Sequence, residues 1–168
     1  MTEAAARRQR IRIMASTFTN LLFHIVYSTK YRRSQIRMDA RERLYQYIGA
    51  LIREQQGKLI EIGGMPDHVH ILARLSPKLA VSEVLRHTKT NSSKWFNETL
   101  QDDDSFAWQR GFGAFSVSAS NIEAVRDYIR NQESHHKELT FKDEFRALLL
   151  RHGIEFDEPY VFEEEHIL

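Results

Sequence analysis

Two histidines one residue apart, His68-Val69-His70, are the first residues of this chain whose types and spacing suggest chemistry. Side chains alternate along a strand, so both imidazoles would point to one face and Val69 to the other. Paired imidazoles supply half of a metal shell. The other reading of the same pattern is a hydrogen-bonded strand pair with no ligand. The second constellation is Tyr128 with Gln132. At about 100° per residue, four positions bring the phenol and the amide to one edge of a helix. Ile122, Val125 and Ile129 mark the buried face beside them. Both side chains are therefore expected at the boundary between core and solvent.

The two constellations gain meaning together. A phenol, with a reference pKa of about 10, is a weak nucleophile near neutral pH. It becomes effective when its electrophile is activated. A divalent cation polarises the non-bridging oxygens of a phosphodiester. Two imidazoles and an amide carbonyl leave positions open for such oxygens. A phosphotyrosine retains the ester energy, so a 3′-hydroxyl can reseal the strand without a nucleotide cofactor. The absence of a GxxxxGK[ST] run fits that economy. By helical angle His135 lies near the Tyr128 edge and is a candidate auxiliary ligand. Asp67 and Glu133 are candidates to orient a ligating imidazole. His24 reads as a satisfied residue at the core edge.

Cations interleaved with aromatic residues form a third feature: Lys30-Tyr31-Arg32-Arg33, then Lys89 and Lys94, then Arg110 between Trp108 and Phe112. Cations hold phosphates and aromatic faces stack unpaired bases. Trp95 and Phe112 are read as core.

The elements that must position these residues follow from periodicity. Residues Thr17 to Thr29 read as a buried strand, rich in β-branched and aromatic types. Asp39 to Gln56 carries Leu44, Ile48, Leu51 and Ile52 at helical spacing, and Gly57 stops it. Lys58 to Gly63 is a short strand, Gly63-Gly64-Met65-Pro66-Asp67 a turn, and His68 to Leu75 the next strand. A helix spans 80–99, with Val81, Val84, Leu85, Trp95 and Phe96 as apolar markers, and Phe112 to Ser118 is a further strand. Ser120 and Glu123 have the spacing of a capping box, opening a helix that runs to about Lys137. Thr140 and Asp143 suggest a weaker cap, and Gly153 ends a fourth helix. Strands joined by a turn pair antiparallel, so the fold class is α+β with helices packed on the sheet.

Composition sets the outer limits. The 168 residues suffice for one domain with a real core. No cysteine is present, so any metal is held by imidazole, carboxylate, amide or water. No apolar run approaches the roughly 20 residues of a membrane span, and the basic start has no secretory apolar segment behind it. A cytoplasmic location is expected. The net charge of +1 hides an asymmetry. Arg7, Arg8, Arg10, Arg12, Lys30, Arg32 and Arg33 crowd the first fifth, while Glu155, Asp157, Glu158 and Glu163 to Glu165 crowd the tail. A basic stripe of this kind can track phosphates. Residues 1–16 are read as a basic arm, 17–138 as the functional domain, and 139–168 as a C-terminal helix with an acidic tail.

Three segments resemble one known family. Phe23-His24-Ile25-Val26-Tyr27-Ser28-Thr29-Lys30-Tyr31-Arg32, Met65-Pro66-Asp67-His68-Val69-His70 and Tyr128-Ile129-Arg130-Asn131-Gln132 look like the single-tyrosine HUH transposases, the insertion-sequence 200/605 type and its repeat-associated relatives. The resemblance covers residues 17 to 138 in order and spacing. It implies a ferredoxin-like antiparallel sheet and a homodimer. It implies Mg²⁺ or Mn²⁺ bound by His68, His70 and Gln132. It implies that Tyr128 attacks single-stranded DNA beside a hairpin, leaving a 5′-phosphotyrosine and a free 3′-hydroxyl. In the family, the tyrosine helix of one subunit can complete the site of the other. The alternatives are a domesticated nickase that processes repeats and a non-enzymatic nucleic-acid-binding module, since sheets of this kind also bind RNA.

Overall fold

The computed structural model describes residues 17–100 and 105–162. The basic arm at 1–16 and the last acidic residues, 163–168, lie outside the described residues. Four strands, β1 (Leu22–Ser28), β2 (Lys58–Met65), β3 (His68–Arg74) and β4 (Gly113–Ser116), form one sheet in the order β2-β3-β1-β4. Every pairing is antiparallel. With helix α1 (Met38–Glu54) between β1 and β2 and helix α2 (Val81–Leu100) between β3 and β4, this is the β-α-β-β-α-β ferredoxin-like arrangement.

The alternation of β1 and β3 divides their residues between two faces. Ile25, Tyr27, Val69, Ile71 and Ala73 pack against α1 and α2 in the main core. Leu44, Ile48 and Ile52 from α1, and Val84, Leu85 and Phe96 from α2, fill the same cluster. These are the apolar positions that mark the two helices in the sequence. The opposite face carries His24, Val26, His68 and His70. Helices α3 (Ile122–Arg130), α4 (Gln132–His135) and α5 (Phe141–Arg151) follow β4, and a last turn, α6 (Glu158–Val161), closes the described chain. Val26, Phe115, Phe141, Phe145, Leu148, Leu149 and Phe162 form a second apolar cluster.

Several boundaries differ from the sequence reading. β2 continues through both glycines to Met65, so the turn shrinks to Pro66-Asp67. Helix α1 ends at Glu54, and the left-handed residue after it is Gln56, not Gly57. The Ser120–Glu123 capping box does not form. Residues Ala119–Asn121 make a 3-10 turn in which the Ser118 and Ser120 hydroxyls meet at 3.1 Å, and the Glu123 carboxylate is taken by Arg126 at 3.1 Å. The long helix expected to reach Lys137 breaks at Asn131, whose side-chain amide donates to the Asp127 carbonyl at 2.8 Å. The Thr140 cap does form: its hydroxyl accepts from the Asp143 backbone N–H at 3.3 Å. Gly153, at φ 63°, supplies the left-handed residue past α5. Phe112 is not core but 37% exposed.

Candidate active site

Helix α3 lies directly on β2. Gly63 makes the approach possible, because a Cβ there would sit 2.6 Å from the Ile129 carbonyl oxygen. Glu61 on β2 adds an ion pair to Arg130 at 2.8 Å. This seating delivers Tyr128 to the sheet face that carries the two histidines. The ring centroids of His70 and Tyr128 are 5.8 Å apart, edge to face.

His68 and His70 are both fully buried on that face, as the strand period requires. Each ring is tethered through Nδ1. His68 Nδ1 lies 2.7 Å from Asp67 Oδ1, and His70 Nδ1 lies 2.9 Å from His24 Nε2. Asp67 thus makes the contact with His68 that an orienting role requires. Glu133 does not share it, because it points outward and pairs with Arg41 at 3.1 Å. His24 is buried and stacked on His70, at 5.1 Å between centroids. Burial, together with the neighbouring His70, lowers its pKa to about 3 and keeps the ring neutral.

Gln132 opens α4 and is buried, deeper than the boundary position expected for it. Its Oε1 lies 3.3 Å from His68 Nε2. The break at Asn131 shifts the helical phase after it. In consequence His136, not His135, turns inward. His135 is exposed and packs its ring against Tyr128 at 4.9 Å. His136 Nε2 reaches 2.8 Å from Glu144 Oε2.

Glu144 is the residue that sequence reasoning missed. It is 2% exposed and stands at the centre of the site. One oxygen accepts from the Tyr128 hydroxyl and from Gln132 Nε2, the latter at 3.0 Å. The other lies 3.2 Å from His70 Nε2 and 3.5 Å from His68 Nε2. Burial would raise its pKa, but hydrogen bonds from His70, Tyr128 and Gln132 hold it below the carboxylate range. Burial and the Glu144 charge push the Tyr128 phenol up, so it is protonated here. A signal for Glu144 did exist. Phe141, Phe145, Leu148 and Leu149 form a helical stripe, and Glu144 is a charge inside it.

His68, His70, His136 and Glu144 bring one ligand atom each within 4.8 Å of one another. Three imidazoles and a carboxylate, all inward-facing, suit a divalent metal. Beside them, a cleft of about 500 Å³ opens between the β2–β3 turn and the α4–α5 connection, lined by Asp67, His136 and Phe141 among others.

The cationic residues are arranged differently from one another. Lys30 to Arg32 form a 3-10 turn in which Tyr31 and Arg32 have positive φ. Lys30 and Arg33 flank the Tyr31 ring at 5.1 and 5.6 Å, and Arg32 lies over Phe162. Lys94 is exposed on α2. Lys89 is buried, and its ammonium donates to the Arg110 and Gly111 carbonyls at 3.1 and 2.8 Å. It pins the loop that carries Arg110. Arg110, Arg86 and Phe112 line a cleft of about 400 Å³ beside it.

Residues 17–132 match the model of the family described as "Transposase IS200 like". The chain belongs to that family. The transposase for insertion sequence element IS200 of Salmonella typhimurium is 28% identical over 124 residues, covering 71% of this chain and 81% of the relative. The Salmonella typhi protein of the same name matches equally. Among solved structures, a candidate transposase from Deinococcus radiodurans R1 superposes with a TM-score of 0.57 at 20% identity, over 72% of this chain and 97% of the other. A REP-associated tyrosine transposase bound to a REP hairpin gives 0.55 at 18% identity, over 76% and 75%. These two share the fold. The matched stretch ends at Gln132, so His136 and Glu144 lie beyond it. Among the described residues no helix is long and apolar enough to cross a membrane.

Proposed function

We propose that this IS200-like transposase cuts and rejoins single-stranded DNA at hairpin-flanked sites through a 5′-phosphotyrosine on Tyr128. The observation that carries the reading is the convergence, within one chain, of the Tyr128 hydroxyl and the buried His68–His70 pair on a single carboxylate. His68 and His70, with the Gln132 carbonyl, would hold Mg²⁺ or Mn²⁺. When bound, such an ion polarises the phosphodiester oxygens.

The chain's own residues account for the rest. The phenol must lose its proton as its oxygen attacks phosphorus, and Glu144, whose carboxylate accepts the hydroxyl's hydrogen bond, passes that proton on to solvent. The Tyr128 O–P bond forms, the P–O3′ bond breaks, and the departing 3′-oxygen takes a proton from solvent. Attack by a DNA 3′-hydroxyl on the phosphotyrosine reverses the step and returns the proton to Tyr128. Packing of the Tyr128 ring among His24, His70 and His135 fixes the direction of attack. Lys30, Tyr31, Arg32, Arg33, Lys94 and Arg110 supply phosphate and base contacts for the strand, and Lys89 supports Arg110. Homodimer assembly and a cytoplasmic setting are carried by the family likeness. No residue of the site has to come from a second chain.

Incubation with end-labelled hairpin DNA and Mn²⁺ tests the reading. The expected result is a denaturant-stable protein–DNA adduct that vanishes with chelator and does not form on duplex DNA. Nicking without an adduct, or an adduct that survives chelation, would contradict it.

A further inference from the structure

Three histidines surround Glu144, and each has its Nδ1 engaged elsewhere. His68 Nδ1 meets the Asp67 carboxylate at 2.7 Å, His136 Nδ1 meets the Leu139 carbonyl at 2.7 Å, and His70 Nδ1 meets His24 Nε2 at 2.9 Å. Carboxylates and carbonyls only accept hydrogen bonds. His68 and His136 therefore carry their proton on Nδ1, and each presents a lone pair at Nε2. Those lone pairs face acceptors. His136 Nε2 lies 2.8 Å from Glu144 Oε2, and His68 Nε2 lies 3.5 Å from the same oxygen and 3.3 Å from Gln132 Oε1. The Gln132 amide cannot be turned to relieve this, because its N–H group donates to the other Glu144 oxygen at 3.0 Å.

Hydrogen-bond accounting thus leaves a buried knot of lone pairs. Ligand atoms, one each from His68, His70, His136 and Glu144, lie within 4.8 Å of one another, so a single cation satisfies all of them. The tethering of every ring through its other nitrogen is also the arrangement that orients metal-bound histidines.

We propose that His136 and Glu144 are protein ligands of the metal alongside His68 and His70, so that the segment beyond Gln132 is part of the metal centre. This rests on the reading of His68 and His70 as metal ligands, and it adds two donors that lie past the matched family stretch. It gives α5 a role beyond packing: the carboxylate that completes the shell also holds the nucleophile, so metal and Tyr128 are fixed by one side chain.

The test uses the full chain without DNA and reads Mn²⁺ binding by the loss of the free-ion paramagnetic resonance signal. Glu144→Gln and His136→Gln keep side-chain size, and each should weaken Mn²⁺ binding by at least about tenfold. His68→Ala and His70→Ala should do the same. If the first two bind like wild type while the last two do not, the proposal fails and the two-histidine reading stands. If all four bind like wild type, both fail. X-ray absorption of the metal-loaded wild-type chain needs no variant: three coordinated imidazoles are expected, and two would overturn the assignment of His136.

Discussion

Gly63→Ala is the smallest change that should separate the nucleophile from its site. Position 63 lies in β2 under α3, and an added Cβ would stand 2.6 Å from the Ile129 carbonyl oxygen and 3.0 Å from its Cγ2. Ordinary contact begins at 3.4 Å, so the carbonyl must retreat by about 0.8 Å. That atom is backbone and cannot rotate away. Ile129 adjoins Tyr128, so α3 carries the phenol with it. Overpacking of this kind costs about 1–3 kcal/mol. Misplacing a reacting group by about 1 Å costs on the order of 100-fold in rate. Adduct formation on hairpin DNA should therefore fall by roughly 30- to 100-fold. Mn²⁺ binding through the sheet histidines should be retained. Urea unfolding reports the stability loss and single-turnover adduct formation reports the rate. A Gly63→Ala protein that forms adduct at the wild-type rate would refute the view that the α3 seat on β2 sets the attack geometry.

Acidification should destabilise the fold through His24. Its folded pKa, about 3, lies below the unfolded value of 6.5, so its contribution is full above 6.5 and erodes as pH falls toward 3. At pH 5 the loss is about 2 kcal/mol. Urea unfolding at pH 7 and 5 should show this, and His24→Asn should flatten the slope; an unchanged slope would remove His24 from the account. Arg110→Ala should lower the salt dependence of hairpin binding by about one phosphate contact. Lys89→Met should instead lower the melting temperature, since Lys89 holds the loop carbonyls. If Lys89→Met alters only the salt slope, its structural role is wrong. Light scattering at concentrations where adduct forms should show a dimer, and monomer alone would contradict the assembly expected from the family.

The sheet and its two core helices were legible because their residues obey simple periods. Val69 and Ile71 face the main core while His68 and His70 face away, as alternation dictates. Tyr128 and Gln132 were legible as a spacing, although the helix that was to carry both breaks between them. The break sits at Asn131, whose side-chain amide bonds the Asp127 carbonyl, a local competition that hydrophobic periodicity does not register. It also decides between His135 and His136. The burial of Lys89 was not legible, because a lysine at helical spacing looks the same whether its ammonium meets water or two carbonyls. Glu144 lies 74 residues from His70 in sequence, and only the tertiary packing of α5 brings them together.

The central claim is that Tyr128 is the residue that becomes covalently bound to DNA. Mass spectrometry of the trapped peptide after incubation with single-stranded hairpin DNA and Mn²⁺ tests it most directly. The 5′-phosphate should map to Tyr128, and Tyr128→Phe should abolish the adduct while hairpin binding persists. That variant also removes a hydrogen bond to buried Glu144, so it should lose about 1–3 kcal/mol of stability yet stay folded. An adduct on Tyr31 or on any residue other than Tyr128, or an undiminished adduct in Tyr128→Phe, would contradict the account.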